Sequence, residues 1–273
     1  MVQENAIRLL VSDIDGTLVR SDKTLSDAVV GAVARVRRAG VTVTLISARP
    51  PSGMLWIAER LGLTGPIGAF NGGTVVMPDG HIVSANRLAK DVAEKALAML
   101  DRPGVTPWLF AGGQWYAQDR ENRNLGRERL AANVDPVFQA DFTPLLDQAD
   151  KLVGVSDDHP LLAKIEGEMK AALGDGANVA RSQPYYLDVT APSANKGDGI
   201  AALADAYGVP LSAVAAMGDQ HNDLPMFARA ALSVAMGQAP AEVQAAADHV
   251  AKSNQEDGVA DAIARFVLPA LAG

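Results

Sequence analysis

The sequence predicts an α/β protein: a parallel sheet with crossover helices, interrupted by a separate α+β unit. Three observations carry this prediction. Strand and helix patterns alternate over residues 1–84, as they do in a parallel sheet whose strands are joined by helices. From Asn86 the rhythm changes to hairpins mixed with helices, which marks an α+β unit of its own. After Asn195 the strand–helix alternation returns. The expected organisation is one discontinuous core, 1–84 with 191–273, around an insertion spanning 85–190. An insertion of about 100 residues has ordinary domain size.

The elements follow in order. The apolar run Ile7–Asp13 is the first strand. Ser26 is placed to cap a helix through Ala39, with Val29, Val33 and Val36 on one face and Gly40 ending it. Val41–Ser47 is a second strand, and Pro50-Pro51 breaks the chain before a helix over Ser52–Leu61. Ile67–Asn71 reads as a third strand. Thr74–Met77 and His81–Ser84 flank the turn Pro78-Asp79-Gly80 and form a hairpin. The insertion opens with a helix, Leu88–Leu100, and a hairpin of Val105–Ala111 with Gln114–Gln118 across Gly112-Gly113. Two helix–strand units follow, with strands near Val137–Ala140 and Lys151–Ser156. A helix over Pro160–Leu173 then precedes paired strands Asn178–Ser182 and Tyr185–Thr190. The core resumes with helix Asn195–Tyr207, strand Ala213–Met217, helix Asn222–Arg229 and strand Leu232–Ala235. Gly258–Leu271 is the closing helix.

With 273 residues, 48% of them hydrophobic and 21% charged, the chain has the length and composition to bury one large or two modest cores. A net charge of -8 and a pI near 5.0 argue against nucleic acid or an anionic membrane as a partner. Small anions stay within reach, because a local lysine, helix terminus or metal reverses the field near it. The absence of cysteine excludes disulfides, thiolate nucleophiles and Cys-ligated zinc. Met1-Val2-Gln3-Glu4-Asn5 lacks the basic-then-apolar pattern of a signal peptide. No apolar run reaches the ~18 residues that span a bilayer, so a cytoplasmic enzyme is expected.

The chemistry starts at Asp13-Ile14-Asp15-Gly16-Thr17, directly after the first strand. Side chains alternate along a strand, so Asp13 and Asp15 leave on one side while Ile14 turns into the core. The carboxyl ends of strands are where open α/β sheets bind ligands; the same D-x-D-G pattern also serves as a plain strand-to-turn exit. Three other strand or helix ends carry polar residues. Ser47 ends the second strand, Lys196 starts the helix opened by Asn195, and Gly218-Asp219-Gln220-His221-Asn222-Asp223 follows Val214–Met217. If these strands adjoin, four acids, a hydroxyl and an ammonium gather at one edge. So many acids repel one another without a cation among them, and an oxygen-only ligand set suits magnesium, Mg2+. Lys196 and the amides at a helix start would complete a phosphate site.

The four motifs, in this order and with an insertion between the second and third, resemble the haloacid-dehalogenase-like (HAD) hydrolase superfamily. The resemblance is to its Cof-type phosphatases with an α/β (type IIB) cap. It implies a Rossmann-like core and a cap that selects the substrate. It also implies that Asp13 is the nucleophile forming an aspartyl-phosphate and that Asp15 is the general acid and base. Asp13, the carbonyl of Asp15, and Asp219 would hold magnesium, with Asp223 orienting that shell or Lys196. Ser47, Lys196, Asn222 and the main chain around Gly16 and Thr17 would bind the phosphoryl oxygens of the substrate. Arg49 and Asn71 are further substrate-binding candidates, with a solvated charge and a turn as the competing explanations. The sequence departs from the family pattern in having Pro192-Ser193-Ala194 where a glycine usually precedes the lysine, and Ser47-Ala48-Arg49 for the common Thr-Gly-Arg.

Other features point elsewhere. The histidines at 81, 159, 221 and 249 have no zinc-hydrolase spacing. Trp108, Trp115 and Tyr116 are expected to pack a sheet face, and Arg120, Arg123, Arg127 and Arg129 to share one solvated helix. No GxxxxGK[ST] or GxGxxG loop is present. The expected activity is a magnesium-dependent phosphatase for small phosphomonoesters, sugar phosphates first among them. A phosphomutase or a non-catalytic phospho-ligand sensor is the alternative. A dehalogenase is disfavoured by Asp15, which such enzymes lack. The expected partner is a small phosphorylated metabolite, with no nucleic acid and no membrane.

Overall fold

A computed structural model describes residues 6–271, so the expectation drawn from Met1–Asn5 lies outside the described residues. The chain opens with β1 (Leu9–Ser12), α1 (Asp27–Arg38), β2 (Thr42–Leu45), α2 (Ser52–Arg60), β3 (Ile67–Ala69), β4 (Thr74–Val76) and β5 (Ile82–Ala85). The insertion carries α3 (Lys90–Leu100), β6 (Thr106–Ala111), β7 (Gln114–Ala117), α4 (Leu125–Ala132), β8 (Val137–Phe138), β9 (Ala149–Val155), α5 (His159–Leu173), β10 (Asn178–Gln183) and β11 (Tyr186–Thr190). The return brings α6 (Lys196–Ala206), β12 (Val214–Gly218), α7 (Leu224–Phe227), β13 (Leu232–Ala235), α8 (Ala241–Ala246), β14 (His249–Val250) and α9 (Gly258–Ala262).

The core sheet is parallel throughout, in the order β14-β13-β12-β1-β2. β1 lies between β2 from the first segment and β12, the central strand, from the last, so the two segments form one sheet. A single parallel bridge, Ile46 to Gly68, joins β2 to the small antiparallel sheet β3-β4-β5. All four residues of β1 are buried, as expected of a strand covered by helices on both faces. Ser26 caps α1 by accepting from the Val29 amide, and Val29, Val33 and Val36 are buried on the predicted face.

The second sheet has the order β10-β11-β9-β6-β7-β8 and is antiparallel except for the β7–β8 pair. Its faces divide by the period of two. Leu109, Leu152, Leu187 and Val189 pack under α3 and α5. The alternate residues Trp108, Phe110, Trp115, Val153, Val155 and Tyr186 join the cluster that includes Met54, Ile57 and Phe70 of the core. The cap therefore has an aromatic inner face seated on the core, where Phe70 and Phe110 meet edge-on at 5.7 Å. Two hydrogen bonds cross beside them: Ser52 Oγ donates to the Ala132 carbonyl at 2.6 Å and Lys151 Nζ to that of Ala48 at 3.3 Å.

Some elements differ from expectation. The third strand stops at Ala69, because Phe70 and Asn71 take left-handed conformations (φ 48° and 59°). Gly72 then passes so close to α6 that a Cβ there would lie 2.3 Å from the Gly199 Cα. The four arginines do not all share a helix: Arg127 and Arg129 lie in α4, which begins at Leu125, whereas before it Arg120 stacks over Phe138 and Arg123 pairs with Asp157. The C-terminal helix is α-helical only to Ala262, then takes a π turn over Ile263–Val267. Trp108 and Trp115 are fully buried, as expected of packing residues, whereas Tyr116 lies on the opposite, helix-covered face.

Candidate active site

The site begins where β1 runs out. The Asp13 amide donates to the Met217 carbonyl on β12 at 2.9 Å, so the first motif and the loop after β12 emerge side by side. Gly16 turns away with φ +83°, and a Cβ at that position would lie 2.3 Å from Asp219 Oδ2. Only glycine lets the two loops approach so closely. Thr17 Oγ1 then donates to Asp219 Oδ1 at 3.1 Å, anchoring that acid from behind.

Lys196 opens α6, whose N-cap Asn195 accepts from the Asp198 amide. Its ammonium is 2% exposed and sits 2.5 Å from both Asp13 Oδ1 and Asp223 Oδ1. Asp223 is fully buried, and its other oxygen accepts from the amides of Asp219 and Gln220, each at 2.8 Å. The loop after β12 is thus wound around its own carboxylate. Asp13, Asp219 and Asp223 each offer an oxygen within 4.8 Å of the others. Burial pushes the Asp13 carboxyl well above the usual range, with Asp223 and Asp219 adding to it against the pull of Lys196. Burial and then Asp223 likewise push Asp219 up to about 6. Three acids against one ammonium leave negative charge uncompensated, and these hard oxygen donors fit a divalent cation such as magnesium.

Asp15 has a different environment. Its carboxylate is held by Arg49 Nε at 2.6 Å and Nη2 at 2.8 Å, and by Lys23 Nζ at 2.6 Å. Burial opposes ionisation, but Arg49 and Lys23 together hold the group far below the usual carboxylate range. Arg49 itself is buried and donates to the Gly53 carbonyl at 3.0 Å, tying the pair to α2. Ser47 is buried, and its Oγ accepts from the Arg49 amide at 3.3 Å.

A cavity of about 520 Å³ lies over these groups. Asp13, Asp15, Gly16, Ser47, Arg49, Lys196, Asp219 and Asn222 reach it from the core. Thr17, Asn71 and Asp223 stand behind this wall: Asn71 accepts from Asn222 Nδ2 at 3.5 Å, and its amide donates to the Ser47 carbonyl at 2.6 Å. His221 is exposed and paired with Glu242. Sequence reasoning missed Lys23 and the cap side of the cavity, where Glu128, Lys151, Tyr185 and Tyr186 line the wall. Only Lys151 left a signal, as a lysine on the inward register of an apolar strand.

A parallel α/β core with an acid cluster at its central strand ends, roofed by an inserted cap, defines a capped hydrolase of the phosphoryl-transfer type. A family model described as haloacid dehalogenase-like hydrolase matches residues 10–263, and the chain belongs to that family. A Haemophilus influenzae protein provisionally named a phosphatase is 29% identical over 254 residues, 93% of this chain and 95% of that one. The Bacillus subtilis 5-amino-6-(5-phospho-D-ribitylamino)uracil phosphatase YcsE is 27% identical, over 96% of each chain. The crystal structure of a haloacid dehalogenase-like hydrolase from Bacteroides thetaiotaomicron superposes with a TM-score of 0.85 at 29% identity, covering 95% of this chain and 99% of that one.

Proposed function

We propose that the protein is a magnesium-dependent phosphatase of small phosphomonoesters, sugar phosphates among them, working through an aspartyl-phosphate on Asp13. The observation that carries this is the convergence of Asp13, Lys196, Asp219 and Asp223 at the strand ends, beneath a cavity lined by both core and cap. The family is one of hydrolases, and a relative is named for hydrolysing a phosphorylated ribityl compound. Among the described residues, no helix is long and apolar enough to cross a membrane.

The residues divide the work. Lys196 and Ser47 bind phosphoryl oxygens, and Asn222, Arg49 and the Gly16–Thr17 main chain shape the pocket around them. Asp13 attacks phosphorus, and the ester P–O bond breaks as the Asp13–phosphorus bond forms. Asp15 gives its proton to the departing alkoxide, then takes one from the water that hydrolyses the acyl phosphate and restores Asp13. Asp13, Asp219 and the Asp15 carbonyl are the proposed magnesium ligands, with Asp223 orienting them and Lys196. Magnesium bound there supplies positive charge over the phosphoryl oxygens. Asp15 between Arg49 and Lys23 has the ionised form that the second half requires. Its bond to Arg49 must open before it serves as an acid.

Phosphate release from a panel of sugar phosphates and acetyl phosphate tests the proposal. Asp13→Asn, which keeps the shape and removes the nucleophile, is expected to lower kcat by at least ~10³-fold. Retention of a tenth of wild-type activity would show that Asp13 is not the nucleophile. An isomeric sugar phosphate in place of free phosphate would identify a mutase.

A further inference from the structure

The inner face of the cap sheet is apolar and aromatic except at one place. Lys151 on β9 and Asp188 on β11 form an ion pair at 3.3 Å, with side chains 6% exposed. The Lys151 ammonium lies 5.2 Å from the Phe110 ring centroid. Beside them stand Tyr186, 7% exposed, and Glu128 of α4, 6% exposed. Lys151, Tyr186 and Glu128 all line the cavity over Asp13.

Packing does not account for this group. A buried ion pair among rings adds little stability that apolar residues of similar volume would not supply. Buried polar atoms normally have hydrogen-bond partners. Yet Asp188 Oδ1 is buried with none, and the Tyr186 hydroxyl makes no well-formed hydrogen bond, with the Glu128 carboxyl beside it. Lys151 is held only by long contacts, 3.3 Å to Asp188 and 3.3 Å to the Ala48 carbonyl. Three cap elements thus deliver under-used donors and acceptors to a wall facing the phosphoryl site. Lys151 is paired with Asp188, and Glu128 has only the through-space pull of the same ammonium, so the buried wall has no spare cation. Arg127, the other cap cation at the cavity, is exposed and stacked over Tyr185.

We infer that Glu128, Tyr186 and Lys151, the last positioned by Asp188, form a subsite that takes the hydroxyls of an uncharged, polyhydroxylated leaving group and rejects a second anion. The inference rests on the phosphatase reading and deepens it. A carboxylate accepts from hydroxyls, an ammonium donates to them and a phenol does both, which matches a polyol. A second phosphate against Glu128 and Asp188 meets like charge in a desolvated wall.

The test compares kcat/KM for phosphate release from hexose 6-phosphate, ribitol 5-phosphate, hexose 1,6-bisphosphate and acetyl phosphate. The wild type is expected to favour the two monophosphates over the bisphosphate by at least ~10-fold. Glu128→Gln is expected to raise KM for the monophosphates and to narrow their advantage over the bisphosphate to under ~3-fold. Equal use of mono- and bisphosphate by the wild type would overturn the inference without any variant. So would an unchanged preference in folded Glu128→Gln. Silence toward every ester, acetyl phosphate included, would instead sink the phosphatase reading and this one with it.

Discussion

Asp13 and Asp15 are two positions apart on the chain and lie in opposite electrostatic surroundings. Asp13 faces other acids, and burial holds its proton. Asp15 faces Arg49 and Lys23, which strip its proton away. Asp13 must therefore give up its proton before it attacks, and Asp15 must gain one before it acts as an acid; the leaving group reports on the second requirement. An alkoxide needs a proton to depart, whereas acetate leaves unaided. Asp15→Asn is therefore expected to slow sugar phosphate hydrolysis by ~10²–10⁴-fold, and acetyl phosphate hydrolysis by clearly less. Equal losses on both esters, measured as kcat, would count against proton donation by Asp15. At this scale the acids and Lys196 were legible, because strand ends and a helix cap deliver them. Lys23 was not: it reaches Asp15 from a left-handed turn (φ 67°) with nothing periodic to announce it. Glu128 and Tyr186 gain meaning only through the docking of α4 and β11 over the core.

Among the elements, α2 and α4 form the tightest seam between core and cap. A Cβ at Gly53 would lie 2.1 Å from the Ala131 carbonyl oxygen, a backbone atom that moves only if α4 moves. Gly53 is the second residue of α2, where helix propensity contributes little, so Gly53→Ala acts mainly by pushing the cap away. The expected outcome is a lowered melting temperature, with kcat/KM for sugar phosphates down by ~10-fold or more. Unchanged kcat/KM would mean that this seam does not set closure. The long helices and the alternating strands were legible because their periodicity spans several turns or pairs. The stretch around α8 and β14 was not, since six- and two-residue elements are too short to show a period. The early end of β3 was hidden too, because Phe70 and Asn71 are forced left-handed by the close pass of Gly72 against α6.

For the molecule as a whole, the acid cluster ties stability to pH and metal. Asp219 titrates near 6 when folded against about 3.9 in an open chain, so the folded state binds the extra proton between those values. Stability from this group is present at low pH and lost as pH rises through about 6. Asp13 and Glu128, both raised by burial, act in the same direction. Asp15, lowered, acts only below the ordinary carboxylate range. In EDTA, Tm should therefore be higher at pH 5 than at pH 7, by about 2–4 °C for each kcal/mol recovered. Magnesium should raise Tm more at pH 7, where the acids are free to bind it. A Tm that falls on acidification from pH 7 to pH 5 would contradict this account. The seating of cap on core has a further, optical consequence. All three tryptophans belong to the cluster that joins the two parts, Trp56 on α2 and Trp108 and Trp115 on the inner cap face. The indoles of Trp108 and Trp115 lie edge to face at 5.0 Å, so the native emission spectrum is a label-free gauge of whether the roof is down.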